Sequence, residues 1–228
     1  MRRWSWLRAG LLLVALVAVA VVVVGWVVKR EPEFYAQAVA VAPQADDPAV
    51  ASDTQTRIGD LVTAVTAPYS TPGDWQVNFT ADELNAFLRE DADHVMLLRP
   101  KWEEFADPRV SIQGDHLLIG GRVGSGMLST VISVEVRAWL VDGEPNTMAI
   151  ELVSVRLGSL PWFKRWLMDR MTEFAAKYKA DITWYRGAAN PVAICRLRAD
   201  QNQPDLALTA VSIADGRVTI GGKGLLGQ

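Results

Sequence analysis

Residues able to do chemistry are sparse in this sequence, and their spacing assembles no reaction centre. The two histidines are His94, inside the acidic run EDADH, and His116, which follows the turn pair Gly114-Asp115. Neither belongs to a cluster with metal-ligand spacing, so each reads as a solvated surface imidazole. Cys195 is the only cysteine and permits no internal disulfide. It alternates with apolar residues in VAICRL and reads as a small buried hydrophobe. The pair Glu103-Glu104 fits ordinary solvated charge. A phosphate loop needs a glycine-rich turn that opens a helix, but GRVGSG (121–126) leads into a strand and GGKG (221–224) into no helical segment. NFT (78–80) matches a glycosylation acceptor, a tripeptide frequent by chance. With no nucleophile–base pair, no metal cluster and no cofactor motif, the sequence points to a noncatalytic role.

The elements that would position any site are easier to read. Half of the 228 residues are apolar, enough for one sizeable core. The formal charge of −3 is uneven, because residues 1–30 hold five cations and no acid, leaving 18 cations against 26 acids beyond them. That acidic balance argues against a nucleic-acid partner. Residues 9–28 are uncharged and almost wholly apolar, and twenty helical residues span about 30 Å, the thickness of a hydrocarbon core. Trp4, Trp6, Trp26, Phe34 and Tyr35 suit the interfacial belts. Arg2, Arg3 and Arg8 outweigh Lys29 and Arg30 and keep the N-terminus cytoplasmic. The expected organisation is a single-pass transmembrane anchor at 1–30, a tether at 31–46 and an extracytoplasmic α+β domain at 47–228, with its core at about 70–228. A cleaved signal peptide fits less well, since the apolar run is long and AVAVA (38–42) lies far from it.

Within the domain, Asp47 and Pro48 predict the start of a helix reaching about residue 67, with Ile58, Leu61, Val62 and Val65 on one face. Trp75, Val77 and Phe79 alternate as a strand. Thr80 and Glu83 form a capping box for a helix carrying Leu84, Phe87 and Leu88. In residues 129–141 the even positions are mostly apolar, and residues 146–157 return after DGEP with an apolar phase that shifts from Met148, Ile150 and Leu152 to Val153, Val155 and Leu157. A one-residue shift predicts a β-bulge. Leu160, Phe163, Leu167, Met171, Phe174 and Tyr178 predict a long amphipathic helix over 160–178, widened by Trp162 and Trp166.

The sequence also writes one hairpin twice. VSIQGDHLLIGG (110–121) and VSIADGRVTIGG (211–222) share six of twelve positions at an offset of 101 residues. The turn pairs Gly114-Asp115 and Asp215-Gly216 predict type II′ and type I′ turns, with Val110 facing Ile119, Ile112 facing Leu117, Val211 facing Ile220 and Ile213 facing Val218. The glycine pairs predict bulges or close backbone approaches.

FTADELNAFL (79–88), GSLPWFKRWL (158–167) and LTAVSIADGRVTIGG (208–222), together with the apolar N-terminus, resemble the YpmS-like family of membrane-anchored bacterial proteins of unknown function. The pattern is also similar to small lipid-binding domains in which a curved sheet wraps a long helix. The resemblance covers about residues 70–228 and carries over no functional residue; the Ala- and Val-rich tether and the Trp-rich helix fall outside it. The expected fold class is therefore α+β, an N-terminal transmembrane helix followed by an extended curved antiparallel sheet packed on a long amphipathic helix. The expected function is binding or handling of an apolar ligand, chiefly membrane lipid, lined by Ile132, Val134, Val136, Ile150, Leu152, Phe163, Trp166, Leu167 and Met171. The alternative is a scaffold or assembly subunit that meets other envelope proteins and has a fully packed interior.

Overall fold

The computed structural model describes residues 23, 25–66, 73–90, 105–126, 129–162, 164–177, 180–186, 189–197 and 206–224. Antiparallel sheet dominates them, in two sheets with four helices of eight to twenty residues; residues 25–29 are also helical. The elements are α1 (Glu33–Ala40), α2 (Asp47–Thr66), β1 (Gly73–Thr80), α3 (Ala81–Glu90), β2 (Phe105–Gln113), β3 (His116–Val123), β4 (Thr130–Leu140), β5 (Thr147–Leu157), β6 (Leu160–Pro161), α4 (Lys164–Lys177), β7 (Ala180–Tyr185), β8 (Val192–Leu197), β9 (Leu206–Ala214) and β10 (Arg217–Gly224). The large sheet runs β2-β3-β4-β5-β8-β7, with β6 also on β5, and the small sheet runs β1-β10-β9.

This architecture corrects the expected one. Of the apolar stretch 9–28, only Val23 and residues 25–28 lie among the described residues, and among those residues no helix is long and apolar enough to cross a membrane. The single-pass, membrane-spanning reading is withdrawn. The long covering helix is also shorter than expected. Leu160 and Pro161 pair with Leu157 and Arg156 as β6, and α4 holds fourteen residues from Lys164. Its buried face is centred on Leu167, Met168 and Ala175, while Phe174 is 42 % exposed. Of the expected stripe, Leu167 and Met171 do join the core, Leu160 belongs to β6 instead, and Phe163 and Tyr178 lie outside the described residues. Residues 33–40, expected within a tether, form α1, whose Phe34 and Tyr35 are buried against Val131.

Three helices cover the large sheet. On one face Phe87 and Leu88 of α3 meet Val110, with Leu117 and Ile119 beside them, and Leu167 and Met168 of α4 meet Val134, Leu152 and Val155. Ile119 touches both clusters and joins them into one core. On the opposite face α1 packs on Val131 and Leu118. The expected bulge is present, since the β4–β5 register shifts between Glu135 and Val136. That shift lets Leu152 and Val155, three residues apart, enter the same cluster.

The repeated hairpins have the expected register in all four pairs but lie in different sheets. Gly114 alone has positive φ in the first turn, and both Asp215 and Gly216 have it in the second, as types II′ and I′ require. The glycine pairs seat aromatic rings. A Cβ on Gly120 would lie 3.1 Å from Phe34 Cζ and from Tyr35 Cδ2, and a Cβ on Gly222 would lie 2.5 Å from Trp75 Cζ2. Trp75 is the cross-strand partner of Gly222, so the indole lies over the space the missing side chain leaves. The shared glycines are therefore corners of packing.

Two asparagines tie the layers together by imitating a strand edge. Asn85 of α3 donates from Nδ2 to Val110 O (2.9 Å) and accepts from Val110 N (2.8 Å). Asn146, in the turn after β4, donates to Leu206 O (2.6 Å) and accepts from Leu208 N (2.9 Å), docking β9. The capping box forms as expected: Thr80 N and Oγ1 donate to Glu83, and Glu83 N donates back to Thr80 Oγ1. Arg57 of α2 adds an ion pair to Glu83 at 2.8 Å, and Arg89 pairs with Asp47 at 2.7 Å, so α2 and α3 run antiparallel.

Candidate functional site

The residues expected to line a ligand channel converge, but on each other. Val134, Leu152 and Leu167 are 3 %, 0 % and 1 % exposed within one cluster, and Val136, Trp166 and Met171 pack against it half-buried. Ile132 is buried and Ile150 half-buried on the flanking strand positions. Phe163 lies outside the described residues. Alternation on β4 and β5 selected the right face. It carries no information on whether that face meets a ligand or a helix.

Polar side chains, of which the sequence reading singled out only His116 as a solvated imidazole, form a chain across the opposite face. Lys164 Nζ donates to Leu152 O (3.1 Å), Val153 O (2.8 Å) and Asn190 Oδ1 (2.9 Å). Asn190 Nδ2 donates to Glu151 Oε1 (2.8 Å), and Glu151 Oε2 faces Arg137 at 3.3 Å. Arg137 Nε donates to Asp115 Oδ2 (2.8 Å). The His116 ring lies 3.2 Å from Asp115 Oδ1 and 2.8 Å from Glu135 Oε1, the latter without hydrogen-bond alignment. Ser154 Oγ closes the chain by donating to Glu135 Oε2 (2.9 Å). His116 is thus half-buried between carboxylates rather than solvated, because the β3–β4 pairing sets it beside Glu135; His94 lies outside the described residues.

A cleft of about 400 Å³ opens beside this chain, between Phe34 and Gln37 of α1 and Ser133, Ser154 and Arg156 of the sheet. Its chemistry is limited. The hydroxyl of Ser154 bonds a carboxylate, and a serine nucleophile is ordinarily activated by an imidazole or amine base in that position. The carboxylate sits between serine and imidazole, the reverse of a relay in which imidazole takes the serine proton. Lys164 has all three hydrogens engaged and caps the carbonyls that the bulge at Val153 turns sideways. Burial pushes its ammonium below the usual lysine range, against the pull of Glu151 and Glu135. The Arg137 hydrogen bond, and then its charge, holds Asp115 below the usual carboxylate range. A second cleft of about 400 Å³ lies among Asp46, Asp47, Asp82, Glu83 and Arg89. Among the described residues no group of three or more His, Cys, Asp or Glu is placed to hold a metal ion. Cys195 is buried, and burial pushes its thiol up to about 11.

No protein-family model matches this chain, and neither does any curated protein or solved structure. The YpmS-like resemblance therefore rests on the sequence motifs.

Proposed function

We propose that this chain is a noncatalytic assembly module whose interior is filled by its own side chains and whose surfaces do the work. The observation that carries this reading is the packing of Leu167 and Met168 onto Val134, Leu152 and Val155, which occupies the face that a carrier would keep for an apolar ligand. Two further observations support it. The outer face is crossed by a chain of mutual polar contacts, and the group that Ser154 meets there is a carboxylate rather than an imidazole. Among the described strands β7 pairs with β8 alone, so its outer edge offers backbone N–H and C=O groups to a partner strand. The test is titration of the full chain with a fluorescent fatty-acid probe. The assembly reading expects no saturable one-to-one binding. Saturable binding that a folded Leu167→Glu variant loses would restore the interior carrier.

A further inference from the structure

One end of the large sheet combines cations and indoles that the packing argument does not use. Residues 25–29 are helical, and the segment they open is pinned to the β5–β6 turn. Ser159 N donates to Val27 O (3.1 Å), Thr130 Oγ1 to Val28 O (2.6 Å) and Ser159 Oγ to Arg30 O (3.4 Å). Gly158 leaves no room even for a methyl group, because a Cβ there would collide with the Val28 carbonyl. This pinning sets Trp26, Lys29 and Arg30 beside residues 156–162.

Four exposed cations come from the segments that meet here: Lys29, Arg30, Arg156 opposite Pro161 on the α1 side of the sheet, and Arg165 in the first turn of α4. Trp26 (66 % exposed) precedes Lys29 and Arg30 in the pinned segment, Trp162 (38 %) directly follows β6, and Val23 (51 %) lies three residues before Trp26. Of the acids in this region, Glu31 is paired with Arg122 at 2.7 Å, Glu33 accepts from Gln37 and Glu135 accepts from Ser154, the last two lining the cleft that Arg156 also lines. A local excess of positive charge in a chain of formal charge −3 is an electrostatic preference for anions. Indoles rimmed by Lys and Arg match the interfacial layer of a bilayer, where rings sit at headgroup depth and cations meet lipid phosphates.

We propose that this edge docks on an anionic lipid surface. The contact is made by side chains, needs no spanning helix, and stands whether or not the interior binds a ligand. Single-stranded nucleic acid is the other polyanion that stacks on exposed aromatics. Exposed Val23, three residues from Trp26, favours lipid.

The test places a polarity-sensitive fluorophore on the full chain at Trp162→Cys, with Trp139→Cys as control. Trp139 is 40 % exposed and nine residues along β4 from Thr130, about 30 Å away. The native Cys195 is buried and does not compete for label. With vesicles of phosphatidylcholine containing about 30 mol% phosphatidylglycerol, the probe at 162 should brighten about twofold or more while the probe at 139 stays unchanged. Arg156→Glu with Arg165→Glu should weaken that response about tenfold in vesicle concentration. Equal responses at both positions, an equal response on pure phosphatidylcholine, or a response to single-stranded oligonucleotide but not to vesicles would overturn the proposal.

Discussion

Asn85 offers the sharpest perturbation of the fold, because one side chain satisfies both polar groups of Val110. Asn85 and Val110 are 8 % and 6 % exposed, so water cannot easily replace the amide. Asn85→Ala removes bonds of 2.9 and 2.8 Å and orphans a buried N–H and a buried C=O. At about 1–3 kcal/mol per orphaned group the loss is about 2–6 kcal/mol. For a domain of this size that is a fall of roughly 5–15 °C in Tm. Asn85→Asp separates the two bonds. Its carboxylate can still accept from Val110 N but faces Val110 O, to which only the protonated acid can donate. The folded state therefore raises the pKa of the introduced acid. Its stabilisation is fully present below the unfolded value of about 3.9 and is lost as pH rises through the folded value. Urea denaturation followed by tryptophan fluorescence should show Asn85→Asp close to wild type near pH 3.5 and close to Asn85→Ala at pH 7. A Tm for Asn85→Ala within about 2 °C of wild type would refute the placement of α3 over β2.

Burial opposes the charge of Glu83, but Thr80 and Arg57 outweigh it and hold the carboxyl below the usual carboxylate range. Its contribution is present above the unfolded pKa and disappears as pH falls through the lower folded one, so Glu83→Gln should cost about 1 kcal/mol at pH 7 and nothing in strong acid, read by denaturation at each pH. Gly222→Ala should destabilise by about 1–3 kcal/mol in thermal melts, because its Cβ meets Trp75 and the Ala207 carbonyl, which lies 3.0 Å away. Cys195 should resist alkylation at pH 8 until denaturant is added, since its thiol is buried and raised to about 11; rapid native labelling would place β8 at the surface.

The parts of the fold that were legible are those whose signals are local. The turn pairs at 114–115 and 215–216, the Thr80–Glu83 box and the apolar phase shift on β5 each set backbone geometry within a few residues. What escaped depends on distant partners. The small sheet joins residues 73–80 to 217–224, and no local pattern announces that pairing. Phe34 and Tyr35 looked like interfacial aromatics, whereas the empty space over Gly120 draws them onto the sheet. The polar chain from Lys164 to Ser154 was missed because its members are scattered over three strands, one helix, a hairpin turn and a loop, and each alone resembles an ordinary surface group. The Gly-Gly repeat was the one hint that aromatic rings needed seats.

The central claim is that Leu152, Leu167 and their neighbours fill the interior themselves. Native mass spectrometry of the purified full chain, paired with organic extraction, tests it most directly. The account predicts the mass of the bare chain and no stoichiometric lipid in the extract. A one-to-one lipid-sized adduct that survives Arg156→Glu with Arg165→Glu but is lost in a folded Leu167→Glu variant would contradict it.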